Sequence, residues 1–270
     1  MLARAYRLFN IVSLDIVIGA IVCALFFAKI YDVALVPYAL VALGLSVWII
    51  YTADHLMDAR LLKWTAATER HRFHQRHFRK ILIAMIFAAM VDATALYFVR
   101  SAVFKVGLIL SVFVILYLLA HRYLKFLKEF AGAILYTLGI LIPSVSIAQA
   151  DWSLSHLILL FQFFLTAFIN LLLFSWFDRK SDFKDKQVSF VLFFGERTTM
   201  LFLGMLFIVQ ILLAMLQVVA LNHSNASYII LAMNGVLFVI MISSGYFSKD
   251  DRYRLFGDII FLFPLIYLAG

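Results

Sequence analysis

The stretch Tyr51-Thr52-Ala53-Asp54-His55-Leu56-Met57-Asp58-Ala59-Arg60 closes a long apolar run and opens a strongly basic segment. A second stretch, Phe177-Asp178-Arg179-Lys180-Ser181-Asp182-Phe183-Lys184-Asp185-Lys186, occupies the same setting far downstream. Each holds two aspartates four residues apart. At 3.6 residues per turn such a pair lies on one helix face, one carboxylate nearly above the other. Magnesium takes oxygen ligands, keeps several waters, and is commonly shared between one or two carboxylates and substrate phosphates. Asp54 and Asp58 therefore make one candidate metal site, and Asp178 and Asp182 a second. Asp185 extends the second pair or faces water. Either pair alone reads as solvated charge at a helix end, replaceable with little effect on stability. Two pairs in equivalent places weigh against that, because a carboxylate beside a bilayer is costly.

The apolar runs set the fold class. The chain is 65% hydrophobic and only 14% charged, against roughly 25% charged in globular proteins. About nine stretches approach the ~20 apolar residues that cross a bilayer as a helix. They lie at roughly 10–30, 35–55, 79–99, 102–121, 130–149, 154–177, 199–221, 226–245 and 255–269, the last of them short. The segment 188–195 is too short to span. Arg4 and Arg7 ahead of the first run imitate a signal peptide. That run is too long for one and lacks a small-residue cleavage site, so it is read as a retained helix. No Gly/Ser-rich or Pro-rich linker divides residues 1–270, which are read as a single all-α, polytopic transmembrane domain. A weak internal echo accompanies this, since the acidic pairs end the second and sixth spans.

The net charge of +8 could signal nucleic acid, but the basic residues fall in short segments between apolar spans. That distribution sets topology and attracts anionic lipid. With the N-terminus inside, only Lys29, Arg100 and Lys105 of the 23 basic residues fall outside. Both acidic pairs then face the cytoplasm. The single cysteine, Cys23, excludes an internal disulfide and a thiolate metal site.

Basic residues flank each pair. Arg60, Lys63, Arg70, Arg72, Arg179, Lys180 and Lys184 could neutralise a diphosphate, although topology alone explains most of them. Asn170 lies two turns before Asp178 and could reach a cavity above the metals. Asp15, inside the first span, needs a protein or water partner; it recognises a substrate, acts as a base, or pairs with a neighbouring helix. Tyr51, Tyr136 and Gln162 are further candidates for a cavity lining, and Asp92, toward the outer half of its span, reads as structural. His71, His74 and His77 have a spacing compatible with zinc, but steps of three drift around a helix and no further ligand completes a tetrahedron.

The second stretch and its continuation, Asp178-xxx-Asp182 followed by Ser189 and closed by Gly195, resemble the UbiA superfamily of intramembrane prenyltransferases. Ser189 falls where that family usually has threonine, and Lys186 where glycine is common. The first motif of the family survives as Asp54-xxx-Asp58, with Ile50 and Tyr51 in place of a leading Asn and Asp. The resemblance implies nine helices around a central cavity that opens to lipid, with inner loops forming a cytoplasmic cap. It implies two magnesium ions (Mg2+) bridging an isoprenyl diphosphate, and attack on the allylic carbon by a hydrophobic or aromatic acceptor. The acceptor could be a hydroxybenzoate, naphthoate, chlorin, porphyrin or glycerol lipid. Asp54, Asp58, Asp178 and Asp182 would be catalytic and metal-binding. Arg60, Lys63, Arg72, Asn170, Lys180, Lys184, Tyr51 and Asp15 would contact substrate. The expected partners are the lipid bilayer and these substrates, with no nucleic acid. A transporter and a non-catalytic isoprenoid- or quinone-binding homologue are the competing readings.

Overall fold

In the computed structural model, residues 2–61, 68–120, 123–148, 153–185, 187–221 and 224–270 are described, and no strand occurs among them. Seven helices are long and apolar enough to cross a membrane, marking an integral membrane protein. They are α3 (Pro37–Leu61), α5 (Phe78–Tyr97), α6 (Ser101–Ala120), α7 (Lys128–Val145), α8 (Leu154–Lys184), α10 (Glu196–Ala220) and α11 (Ser224–Ile242). The expected first and ninth spans are present as broken rods, not continuous helices. The first is α1 (Leu2–Ile11) followed by α2 (Leu14–Ile30). They are interrupted at Ser13, whose left-handed backbone (φ 60°, ψ 25°) cannot continue a right-handed helix. The ninth is α13 (Arg252–Ile259), a tight turn, and α14 (Pro264–Ala269). Pro264 can begin a helix but has no N–H with which to continue one.

Between the spans lie α4 (Glu69–Arg76), α9 (Phe190–Phe194) and α12 (Ser244–Phe247). Thr68 caps α4 by accepting from the His71 amide at 3.3 Å, satisfying one of the orphan donors of a helix start. The five residues of α9 fill the segment expected to be too short to span. Gly195 separates α9 from α10 at φ 87°, ψ 160°, a region essentially reserved for glycine. This gives the glycine that closes the second motif a physical reason.

Helix α8 organises the bundle. Its 31 residues extend about 46 Å at 1.5 Å per residue, well beyond the ~30 Å hydrocarbon core. Its last turns therefore project past the hydrocarbon and carry Asp178 and Asp182. A cap at Ser153, completed by His156, fixes the other end. Leu159, Phe163, Ile169, Leu172 and Leu173 are fully buried against Phe26 and Phe27 of α2, Leu203 of α10, and Ile230, Met233 and Leu237 of α11. By contrast α5 and α6 expose Ile83, Phe87, Met90, Leu108, Ile109 and Phe113, the surface that a bilayer would cover.

Helix α3 runs to Leu61, past the boundary expected near residue 55. The first motif therefore stays helical, and Asp54 and Asp58 remain one turn apart on one face. Asp92 on α5 accepts a hydrogen bond from Ser46 on α3 at 2.9 Å, in keeping with a structural role.

Candidate active site

The ends of α3 and α8 meet at one cavity of about 720 Å³. Asp54, Asp58, Asp178, Asp182 and Asp185 all line it, so the two acidic motifs share a chamber. One imidazole connects them: His71 Nε2 lies 3.9 Å from Asp58 Oδ2, and His71 Nδ1 lies 3.9 Å from Asp185 Oδ2. Burial pushes the His71 pKa below its ordinary value, while Asp58 and Asp185 pull it back up.

The acids are less exposed than helix-end charges usually are. The side chains of Asp58 and Asp178 are only 13% and 12% exposed, which weighs further against reading them as solvated helix-end charges. Asp178 accepts a hydrogen bond from the Tyr253 hydroxyl and pairs with Arg254. Arg254 Nε also donates to Tyr253 Oη at 3.2 Å, so three groups from α8 and α13 form one closed network. Glu129, at the start of α7, accepts from the Phe190 amide at 3.0 Å and thereby ties α7 to α9 beside the cavity.

Of the proposed substrate contacts, Tyr51, Arg72, Asn170, Lys180 and Lys184 line the cavity, the three cations at its exposed rim. Arg60 does not. It is exposed and absent from the lining, because it follows Asp58 by two residues and so projects to another side of α3. Lys63 lies outside the described residues. Asp15 is 3% exposed and stands behind the cavity wall. Its carboxylate accepts hydrogen bonds from the Asn10 amide group and, at 3.0 Å, from the Ile16 backbone N–H. Asn10 Nδ2 also donates to Asp258 Oδ2 on α13 at 3.1 Å. Asp15 is thus the partner of a neighbouring helix and not a cavity residue. Tyr136 lines the cavity as expected. Gln162 does not; it is fully buried between α8 and α11, where Nε2 donates to Ser227 Oγ at 3.2 Å.

The histidines do not make a zinc site. His74 Nδ1 donates to the Arg70 carbonyl at 2.9 Å and His77 Nδ1 to the Phe73 carbonyl at 3.0 Å. Those bonds aim their rings back along their own helical turns. Burial depresses the His74 pKa from 6.5 to about 4. Among the described residues, no three His, Cys, Asp or Glu side chains converge as a ready-made metal cage.

Sequence reading overlooked Asn10, Lys128, Glu129, Tyr253, Arg254 and Asp258, all of which line the cavity. Arg70, read as one of several cations able to neutralise a diphosphate, is held instead by neighbouring protein groups. Arg70 Nη2 donates to Asn10 Oδ1 at 2.9 Å and to the Asn10 carbonyl at 3.3 Å, and Nη1 lies 3.4 Å from His55 Nε2. Asp258 carried the same signal as Asp15, a carboxylate inside an apolar segment.

Gly257, beside Asp258, is packed tightly against α8. A Cβ there would come within 2.5 Å of a Phe174 ring carbon and 2.8 Å of Asn170 Oδ1.

No protein-family model matches the sequence, and no curated protein matches it. Solved structures do. A UbiA homologue from Aeropyrum pernix K1, in its apo form, superposes with TM-score 0.67 at 11% identity, over 94% of this chain and 98% of that one. A UbiA homologue from Archaeoglobus fulgidus bound to GPP and Mg2+ superposes with TM-score 0.67 at 12% identity, over 97% and 99% of the two chains. The same archaeal homologue bound to DMAPP and Mg2+ gives 0.64 at 12% identity. The fold is that of the UbiA homologues, along essentially the whole chain. At this identity the likeness establishes fold alone.

Proposed function

We propose that this protein is an intramembrane prenyltransferase that moves an isoprenyl group from an isoprenyl diphosphate to a hydrophobic or aromatic acceptor. One observation carries the reading: two Asp-xxx-Asp motifs, more than a hundred residues apart, open into one cavity whose rim is cationic. A solved structure of the same fold holds GPP and Mg2+, which supports the same ligand class here.

The donor set suits magnesium. It is all oxygen, split between two places, and incomplete without phosphate and water, as magnesium sites usually are. Asp54 and Asp58 would hold one ion and Asp178 and Asp182 the other, supplying Lewis-acid stabilisation of the departing diphosphate. Arg72, Lys180 and Lys184 draw the diphosphate to the mouth and share its charge. Arg254, paired with Asp178, adds a partly buried cation where negative charge accumulates. Ile11, Ile16, Ala167, Leu171, Phe174 and Phe261 line other parts of the cavity, and such apolar groups limit the access of water while the allylic carbon is electron-poor. Positive-inside placement puts this mouth on the cytoplasmic face.

The engagement of Asp178 by Arg254 and Tyr253 favours one second reading, a homologue that binds isoprenoids without turnover. Purified protein supplied with GPP or DMAPP and magnesium separates the two. Diphosphate release that stops on chelation, and stops in Asp58→Asn, is the expected result. Tight binding of both donors with no release in any condition overturns the enzyme reading.

A further inference from the structure

We infer that the inner wall of the cavity, formed by Asp258, Asn10, Asn170 and Tyr136, is the acceptor subsite. We further infer that it selects a headgroup that donates hydrogen bonds and carries no negative charge. The inference rests on the transferase reading and narrows its acceptor class.

Among the described residues, the wall holds acceptor atoms that no protein group satisfies. Asn170 is 4% exposed, lines the cavity, and its Oδ1 is buried with no hydrogen-bond partner. The Tyr136 hydroxyl is likewise buried and unpartnered. Asp258 commits Oδ2 to Asn10, and no bond to its other oxygen is present among the described residues. These groups are neighbours. Asn170 Oδ1 abuts the backbone at Gly257, next to Asp258. The Tyr136 ring lies 5.3 Å from Phe261, one turn further along the same segment. A buried polar atom without a partner is unfavourable, and a ligand presenting two or more O–H or N–H groups would satisfy this set.

The charge balance points the same way. Asp15 and Asp258 converge on the single amide of Asn10. Arg70 is the cation that faces both acids, its hydrogen bonds going to Asn10 and His55, and Arg254 is paired with Asp178, so two carboxylates stand against one guanidinium. A carboxylate acceptor would add a third anion beside that one guanidinium, and like-charge juxtaposition is strongly penalised in a desolvated site.

Two probes that differ in one group test this: 4-hydroxybenzyl alcohol and 4-hydroxybenzoate. Each is titrated calorimetrically into the purified, magnesium- and GPP-loaded protein, with prenylated product followed by mass. The alcohol should bind at least about 10-fold more tightly than the carboxylate. The isosteric Asp258→Asn should erase most of that preference, and Tyr136→Phe should weaken the alcohol alone by several-fold. Equal or tighter binding of the carboxylate, no binding of either probe, or an unchanged preference in folded Asp258→Asn overturns the inference. Should Asp258→Asn fail to fold, Tyr136→Phe decides, and unaltered alcohol binding there also overturns it. Diphosphate release from GPP without acceptor reports separately on the transferase reading. Release without probe preference sinks only the subsite, and preference without release sinks only the transferase.

Discussion

The bundle holds two buried polar clusters made from different materials. Between α8, α10 and α11 runs a neutral seam. In it Gln217 Nε2 donates to the Ser155 carbonyl at 2.8 Å, and Gln210 Nε2 to the Gln162 carbonyl at 2.8 Å and Thr166 Oγ1 at 3.0 Å. Asn234 Nδ2 closes it on Thr166 Oγ1 at 2.8 Å. Where α1, α4, α8 and α13 meet lies the second cluster, built from Asp178, Arg254, Tyr253, Asp258, Asn10 and Arg70 around an open cavity. Amides and hydroxyls satisfy one another at low cost and lock helices together in lipid. Charges in the same setting are expensive unless they are paired or needed. The neutral seam therefore reads as assembly, and the charged cluster as function.

That contrast predicts a ranking of effects. Asp178→Asn should lower turnover by at least about 100-fold, the range in which loss of an electrostatic stabiliser falls. Because Arg254 is left uncompensated, it should also cost about 1–3 kcal/mol of stability, read as a lower Tm in detergent. Wild-type rates in this variant would break the assignment of function to the charged cluster.

Acidification should act through the cap and leave the neutral seam untouched. His74 has a folded pKa of about 4 against 6.5 unfolded. The unfolded chain therefore takes up the proton first, so His74 leaves stability intact above pH 6.5 and erodes it as pH falls from 6.5 toward 4. The full effect is at most about 3 kcal/mol. Melting curves of wild type and His74→Gln across that window should converge in acid; parallel curves would refute the burial of a neutral ring.

Gln210→Leu should produce the smallest change, about 0.5–1.5 kcal/mol, with turnover unaltered. Gln210 Oε1 is itself buried without a partner, so its removal returns part of what the lost bonds contributed. A large fall in rate would mean that the seam communicates with the cavity.

The sequence was legible where physics is local. Apolar run lengths located the spans, the four-residue spacing of the aspartates located one face on each of two helices, and Gly195 marked a backbone position that other residues avoid. The break in the first rod was invisible, since Ser13 carries no helix-breaking side chain. The inner wall was invisible for another reason. Asn10 and Asp258 are 248 residues apart, and nothing in the pattern around either indicates that they touch. Arg254 was hidden by an adequate alternative explanation, because every basic residue near a membrane face already satisfies the topology rule.

Gly257 has a consequence for how such chambers diversify. With no side chain there, α13 rests directly on Phe174 and Asn170, and the gap between the acidic end of α8 and the Asp258 wall is gauged by a single hydrogen atom. Enlarging this residue by one methyl would press on the Phe174 ring and on Asn170 Oδ1 and so wedge the two rods apart. Room for a bulkier guest can thus be tuned at a position that performs no chemistry.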